Sequence, residues 1–148
     1  MKNKIGVHAL VWVGGWSETE SERAIAATAA CGYDLIEVPL LDPRAVDPEA
    51  TARQLESHGI GATASLGLSF DTDISSTDPE AVARGQALLN DALGVTRDMG
   101  ANYLGGVLFS ALNKFPAPAT TEGRHNSMEV LARLAEKAKA SGITLGLE

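Results

Sequence analysis

Several features that mark particular classes of protein are scarce in this 148-residue chain. A single cysteine, Cys31, cannot form an internal disulfide, and its place just before a glycine in a helical pattern predicts a small core residue in a reducing compartment. Basic residues are outnumbered, with twelve Lys and Arg against nineteen Asp and Glu and a net charge of −7. Since phosphate neutralisation requires a basic excess, a nucleic-acid partner is disfavoured.

Long apolar runs are also missing. No run approaches the ~18 residues needed to cross a membrane, so no membrane partner is expected. Residues 5–16 follow two lysines, as in a secretory signal, but this run contains His8 and ends in Gly14, Gly15 and Trp16 without a cleavage site of small residues. We interpret the run as a first core strand and expect a cytoplasmic protein.

Motifs of nucleotide-binding, redox and hydrolytic proteins are absent. The sequence has no G-x-G-x-x-G, no Walker loop, no C-x-x-C and no H-E-x-x-H, and so gives no support to dinucleotide, nucleotide or zinc-protease functions. No nucleophile elbow surrounds a serine, so a Ser-His-Asp triad is not identifiable. The composition does indicate a globular domain, since 45% of the residues are hydrophobic.

One pattern recurs four times along the chain: a helix, a glycine and then an apolar run. The glycines are residues 32, 59, 100 and 142, where a left-handed residue is expected to end each helix. Strands are predicted at residues 5–10, 33–38, 61–66, 102–108 and 143–148. The predicted helices start at Ser17-x-x-Glu20 and run to about 31, at Asp47-Pro48 to 58, at Thr77-x-x-Glu80 to 99, and at about 121 to 140.

Strands that alternate with helices predict a parallel sheet with right-handed crossovers. Four and a half units in 148 residues is about 33 residues per unit, so eight units would need about 260, close to a complete (β/α)₈ barrel. A flavodoxin-like sheet of five strands is the alternative, but it expects a helix after the last strand. We therefore predict an α/β fold of TIM-barrel type, in which residues 1–148 form one N-terminal half-barrel domain of four βα units plus strand 5.

The predicted half-barrel leaves two sheet edges and one face uncovered. We therefore expect the chain to form a homo-oligomer or to pair with a missing C-terminal half. The loops that follow the strands, residues 67–76 and 109–120, are longer than the loops that precede them and are rich in polar residues. In barrel enzymes these loops form the functional end.

Candidate functional residues stand at the carboxyl ends of the predicted strands, which converge at one end of a barrel. They are His8, Trp12 and Trp16 on or after strand 1, Glu37 on strand 2, Ser65 on strand 3, Val107 on strand 4 and Glu148 on strand 5. Two carboxylates with a histidine and aromatic side chains are typical of a pocket for a polar, uncharged ligand. An acid in an apolar strand is costly unless it is paired, which singles out Glu37 and, less strongly, Glu148.

Several of these residues also have a structural interpretation. A single histidine on an apolar strand, such as His8, is commonly a core residue, and Trp12 and Trp16 can close a barrel mouth without binding a ligand. His58 precedes a helix-ending glycine, where a cation suits the helix dipole, and His125 is expected to lie in solvent.

Five segments together resemble the ketose 3-epimerases, which act on D-tagatose, D-psicose and L-ribulose. They are residues 32–38, 64–68, 73–76, 105–110 and 142–148. The resemblance runs the length of the chain and implies a metal-dependent isomerase of carbohydrate metabolism, within the xylose isomerase-like TIM barrels. The implied reaction is epimerisation of a free ketose at C3 through an enediolate, by proton exchange with carboxylates.

The resemblance also implies roles for individual residues. A cation, usually Mn²⁺ but also Mg²⁺ or Co²⁺, would be held by two glutamates, an aspartate and a histidine, and Glu148 matches the glutamate that both binds the metal and exchanges a proton. Leu112 stands where a tryptophan is usual, which puts the sugar preference in doubt. The other three ligands would lie beyond residue 148, so we expect a weakly held metal and an isolated chain with little or no activity. The substrate-binding positions match His8, Trp12, Trp16, Ser65 and Val107.

Three alternatives stay open. A hydroxypyruvate isomerase or an endonuclease IV-like enzyme would share the barrel superfamily. The net charge of −7 and the lack of further metal-binding histidines argue against the nuclease. A non-catalytic half-barrel that binds a partner or dimerises is the third alternative.

Overall fold

The structure is a computed structural model that describes residues 3–113 and 118–148. Two sequence predictions fall partly outside these ranges: the N-terminal lysine pair, which includes Lys2, and the loop predicted at 109–120. Within the described ranges, no helix has the length and apolar character required to cross a membrane.

Strands and helices alternate along the chain, as predicted. The strands are β1 (Gly6–His8), β2 (Leu35–Pro39), β3 (Gly61–Leu68), β4 (Tyr103–Ala111) and β5 (Thr144–Leu145). The helices between them are α1 (Glu18–Ala30), α2 (Pro48–His58), α3 (Pro79–Asp98) and α4 (Thr121–Ala140). Short 3₁₀ helices follow the first three strands, at Ala9–Val11, Pro43–Ala45 and Phe70–Thr72.

The five strands form one parallel sheet in the order β1-β2-β3-β4-β5. Each strand therefore pairs with the next strand in the sequence, without the reversal of strand order that defines a doubly wound sheet. This order confirms the predicted TIM-barrel type of fold, in its half-barrel form, and rejects the flavodoxin-like alternative for the described chain.

The helix starts follow from side-chain caps. Ser17 and Glu20 form the predicted capping box of α1, and Asp47 caps α2 ahead of a proline in the first turn. The predicted cap of α3 is wrong by one residue: Asp78, not Thr77, accepts the Glu80 amide at 3.0 Å. Proline at the first helical position favours the residue immediately before it as the cap.

The predicted glycines end or follow the helices in the expected backbone conformation. Gly32, Gly59, Gly100 and Gly142 all have positive φ, between 67° and 81°. The prediction that Cys31 is a core residue is wrong, because this side chain is exposed. Helix α1 ends at Ala30, so its buried stripe stops one turn before the cysteine.

The hydrophobic core lies between the helices and one face of the sheet. Along β3 the residues alternate, with Ala62, Ala64, Leu66 and Leu68 buried against the helices and their neighbours less buried. In the part of the chain that the structure describes, the helices do not cover the opposite face. We call it the open face, and it carries His8, Glu37, Ser65, Gly105 and Val107.

All five strands end at residues other than those predicted, and β4 and β5 differ most. β1 stops at His8 because the histidine ring caps the next turn, with Nδ1 accepting the Leu10 amide at 3.1 Å. β4 runs three residues further than predicted. β5 comprises two residues, although backbone hydrogen bonds from Gly146 to Leu104 at 2.9 Å and from Glu148 to Gly106 at 3.1 Å continue beyond it.

Candidate active site

Polar side chains from three neighbouring strands meet on the open face. His8 and Glu37 are register partners across β1 and β2. Nε2 of His8 lies 3.6 Å from Glu37 Oε1 and 3.4 Å from Ser65 Oγ. Since Nδ1 of the ring accepts the Leu10 amide, a neutral His8 carries its proton on Nε2, which faces Glu37 and Ser65. The structure thus brings His8 and Ser65 together, as the strand-end argument predicted.

This cluster is not a nucleophilic triad. In a triad the serine and the carboxylate bind opposite nitrogens of the histidine, whereas here both face Nε2. The sequence argument that Glu37 is a costly buried acid is also wrong for the described chain, because the side chain is 42% exposed on the open face. The arrangement instead suits hydrogen bonding to hydroxyl groups.

A second group of candidate residues lines a cavity beside β4 and β5. Val107 and Glu148 both face this cavity, whose volume is about 610 Å³. A cavity of this size with mainly apolar walls and a few polar groups is typical of a small-molecule site. Its further walls include Phe109, Leu112, Met128 and Leu131, with Arg124 and Ser127 as polar members.

Gly105 links the two groups. It pairs in register with Ser65, and a β-carbon at Gly105 would lie 3.4 Å from Glu148 Oε1. Because strands are spaced by about 4.8 Å, Ser65 and the carboxyl end of β5 are about 10 Å apart across the open face. The ring of Tyr103 also lies beside Gly105, since the same β-carbon would be 2.8 Å from Tyr103 Cε1.

The two tryptophans point toward the helices. The indole N–H of Trp12 donates to Thr28 on α1 at 3.0 Å, and that of Trp16 donates to Thr51 on α2 at 3.1 Å. Both indoles are half-buried and pack against the core. These contacts agree with the structural interpretation of the pair, and the predicted substrate contact stays a prediction.

Leu112 lies at the carboxyl end of β3 and β4. Its amide donates to the Leu68 carbonyl at 2.7 Å, and its side chain lies over Gly67, the register partner of Val107. The leucine therefore contributes an aliphatic wall where the resemblance expects an indole.

Sequence reasoning missed one buried acid near the cavity. Asp73 is 2% exposed, and its Oδ1 accepts the Ser75 amide at 2.8 Å, the Ser75 hydroxyl at 2.7 Å and the Ala111 amide at 3.1 Å. This carboxylate ties the segment after β3 to the end of β4. The D-x-S spacing of an Asx turn is the sequence signal that could have identified it.

The other two histidines have structural positions. His58 Nε2 lies 2.9 Å from Glu22 and so bridges α2 to α1. His125 is exposed on the first turns of α4, 3.4 Å from Glu129. Both positions agree with the structural interpretations made from the sequence.

The described residues do not supply a complete metal site. Across residues 3–113 and 118–148, no three or more His, Cys, Asp or Glu side chains are grouped so that they could share a metal ion. Glu148 offers a carboxylate, a donor that suits Mn²⁺ or Mg²⁺. It could therefore provide one ligand for such an ion.

Comparison with known proteins identifies the class. Residues 25–148 match the family model described as xylose isomerase-like TIM barrel, and the chain belongs to this family. The match agrees with the parallel sheet and its alternating helices.

Individual relatives narrow the similarity to sugar epimerases, as the sequence resemblance predicted. The chain is 47% identical over 143 residues to an L-ribulose 3-epimerase of Methylomonas sp. (strain DH-1), covering 97% of this chain and 50% of the relative. It is 42% identical over 145 residues to a ketose 3-epimerase of Arthrobacter globiformis, covering 98% and 50%. A crystal structure of D-allulose 3-epimerase from Methylomonas sp. in complex with D-allulose superimposes with a TM-score of 0.92 at 45% identity, covering 98% and 51%. The chain thus spans about half the length of the curated relatives it matches.

Proposed function

We propose that this chain is the N-terminal half of a ketose 3-epimerase, which inverts the configuration at C3 of a free ketose. The observation that carries the proposal is the position of Glu148, whose carboxylate lies at the carboxyl end of the sheet on a cavity of about 610 Å³. The similarity to L-ribulose and ketose 3-epimerases supports this choice of reaction.

The proposed chemistry is proton exchange at the carbon next to the ketone. Glu148 removes the proton from C3, and the electron pair of the broken C–H bond moves into a C2–C3 double bond as the carbonyl oxygen takes up negative charge, giving an enediolate. A second acid on the opposite face of the sugar then returns a proton to C3, and the ketone re-forms with inverted configuration. The described residues offer Glu148 for the first step.

A divalent cation such as Mn²⁺ would stabilise the negative charge of the enediolate. Glu148 can supply one oxygen ligand for it. We therefore propose that the 148-residue chain alone holds such a cation weakly and has little or no epimerase activity.

The open edge of β5 and its surroundings support association with a further half-barrel. Phe109, Leu112 and Met128 are exposed apolar side chains on the cavity of Glu148. Leu147, next to Glu148 in the sequence, is also exposed, and an uncovered strand edge is a site for pairing. We expect the chain to bind a second copy of itself or a polypeptide equivalent to the other half of its relatives. Analytical ultracentrifugation tests self-association, and a monodisperse monomer would count against it.

Other functions have less support. The net charge of −7 disfavours an endonuclease IV-like role. A hydroxypyruvate isomerase would share the fold, but the relatives named above are ketose epimerases. The cytoplasmic location stays a prediction.

The decisive experiment fuses residues 1–148 to the C-terminal half of the Methylomonas relative and measures conversion of D-fructose with added Mn²⁺. We expect activity in the fusion, a loss of about 10²- to 10⁴-fold in kcat for E148Q, and no change for E136Q, an identical substitution at an exposed site on α4. Full activity of the fused E148Q variant would refute the role of Glu148. Turnover by the 148-residue chain alone would refute its incompleteness.

A further inference from the structure

Tyr103, the first residue of β4, extends along the open face toward Glu148. Side chains alternate along a strand, so Tyr103 shares this face with Gly105. Gly146 and Glu148 continue the same face at β5, and their amides bond to carbonyl groups of β4. A β-carbon at Gly105 would be 2.8 Å from Tyr103 Cε1, and a β-carbon at Gly146 would overlap the Tyr103 hydroxyl. The tyrosine ring therefore fills the space that both glycines leave.

The hydroxyl of Tyr103 and the carboxylate of Glu148 approach one common point. The β-carbon position of Gly105 is 3.4 Å from the tyrosine hydroxyl and 3.4 Å from Glu148 Oε1. The two groups thus flank the same vacant side-chain position. In the part of the chain that the structure describes, the tyrosine hydroxyl has no hydrogen bond to another protein group, so its proton is available to the carboxylate.

The two groups are chemically complementary, because a phenol O–H donates and a carboxylate oxygen accepts. Glu148 is exposed, so rotation about its side-chain bonds between staggered conformers can bring Oε1 to the hydroxyl. Hydrogen bonds of this kind are commonly long in a ligand-free enzyme and shorten when substrate binds. With Oε1 held in this way, Oε2 is the oxygen left to take the proton from C3.

A purely structural role for Tyr103 makes a different prediction. If the ring only fills the space beside Gly105 and Gly146, its hydroxyl is dispensable and phenylalanine would serve equally well. Y103F keeps the ring and removes only the oxygen, so this variant separates the two interpretations without opening a cavity in the sheet.

We propose that Tyr103 is a positioning residue, whose hydroxyl donates a hydrogen bond to Oε1 of Glu148 and thereby directs Oε2 toward C3 of the bound ketose. The effect on turnover rests on the proposed function of Glu148. The contact between the two side chains does not depend on any reaction, so it can be tested separately.

The contact is tested by NMR on the 148-residue chain with tyrosine labelled at ¹³Cζ, the carbon that bears the hydroxyl. The chain has two tyrosines, and Y33F assigns their signals. E148Q should shift the Tyr103 signal and leave the signal of Tyr33, which precedes β2, in place. E136Q, an identical substitution at an exposed site on α4, should shift neither signal. An unchanged Tyr103 signal in E148Q would overturn the contact.

The positioning role is tested by steady-state kinetics of the fusion that carries residues 1–148. Y103F should lower kcat by about 10- to 100-fold, the usual loss when a group that orients a functional side chain is removed, and should leave KM unchanged. Y33F, which removes the other tyrosine hydroxyl, should change neither constant. Wild-type kcat in Y103F would overturn the positioning role. Full activity of E148Q would instead refute the proposed function, and the NMR result for Tyr103 would still decide the contact.

Discussion

Helix α3 contains two glycines that should respond in opposite ways to the same substitution. A β-carbon at Gly85 would overlap the Thr72 carbonyl oxygen and lie 2.7 Å from Ile74 Cγ2, whereas a β-carbon at Gly94 would have no neighbour within 4 Å. Carbon atoms prefer separations of about 3.5–4.0 Å. G85A therefore requires α3 or the turn at Phe70–Thr72 to move by about 1 Å.

The magnitudes follow from two opposing terms. Replacing glycine by alanine inside a helix stabilises it by about 1 kcal/mol, and forcing a methyl group into a filled space costs up to about 3 kcal/mol. G85A should therefore lower the free energy of unfolding by about 2 kcal/mol, and G94A should raise it by about 1 kcal/mol. For a chain of this size these changes correspond to a Tm lower by about 4–8 °C and higher by about 2–4 °C.

Urea unfolding followed by circular dichroism, with thermal melts in parallel, measures both variants. The two substitutions have the same chemistry and lie in the same helix, so each controls for the other. If G85A is as stable as the wild type, the close packing of α3 on the segment after β3 is wrong. If both variants lose stability equally, the effect belongs to helical glycines in general.

Two further predictions concern carboxylates of this chain that accept hydrogen bonds from identified donors. D73A removes the acceptor shared by Ser75 and Ala111 and should lower the free energy of unfolding by about 3 kcal/mol. D71A, at an exposed carboxylate paired with Arg84, should cost less than about 1 kcal/mol in the same urea titration, and equal losses would contradict the anchoring role. Hydrogen bonds from the Ser17 hydroxyl and amide lower the pKa of Glu20 from its ordinary value of 4.5. The stability that these bonds add is therefore present above pH 4.5 and is lost as the pH falls through the lower pKa of Glu20 in the folded state. Wild type should therefore exceed E20Q in urea midpoint at pH 7, and a difference that persisted unchanged well below pH 4.5 would refute this linkage.

The order of elements could be predicted from the sequence because its signals are local. The capping box of Ser17 and Glu20 and the glycines after the helices act within a few residues, and both are confirmed. Errors arose where local signals compete. Thr77 and Asp78 are both good caps, and only the proline at the next position distinguishes them.

The candidate site was predictable in part. Val107 and Glu148 share a cavity because the carboxyl ends of parallel strands lie at one edge of the sheet. The alternation of strands and helices in the sequence predicts such a sheet. The approach of Glu37 to His8 depends on the pairing register of β1 and β2, which no local pattern specifies. The direction of Trp12 depends on where Thr28 of α1 lies, and that position comes from packing over sixteen residues of sequence separation.

The sequential strand order has a consequence for how the chain folds. Each strand after β1 pairs with the strand that precedes it in the sequence. No strand pairing therefore depends on a segment that is synthesised much later. The average contact is consequently short-range for a parallel sheet, a property that correlates with faster folding. The sheet can lengthen by one βα unit at a time as the ribosome releases the chain.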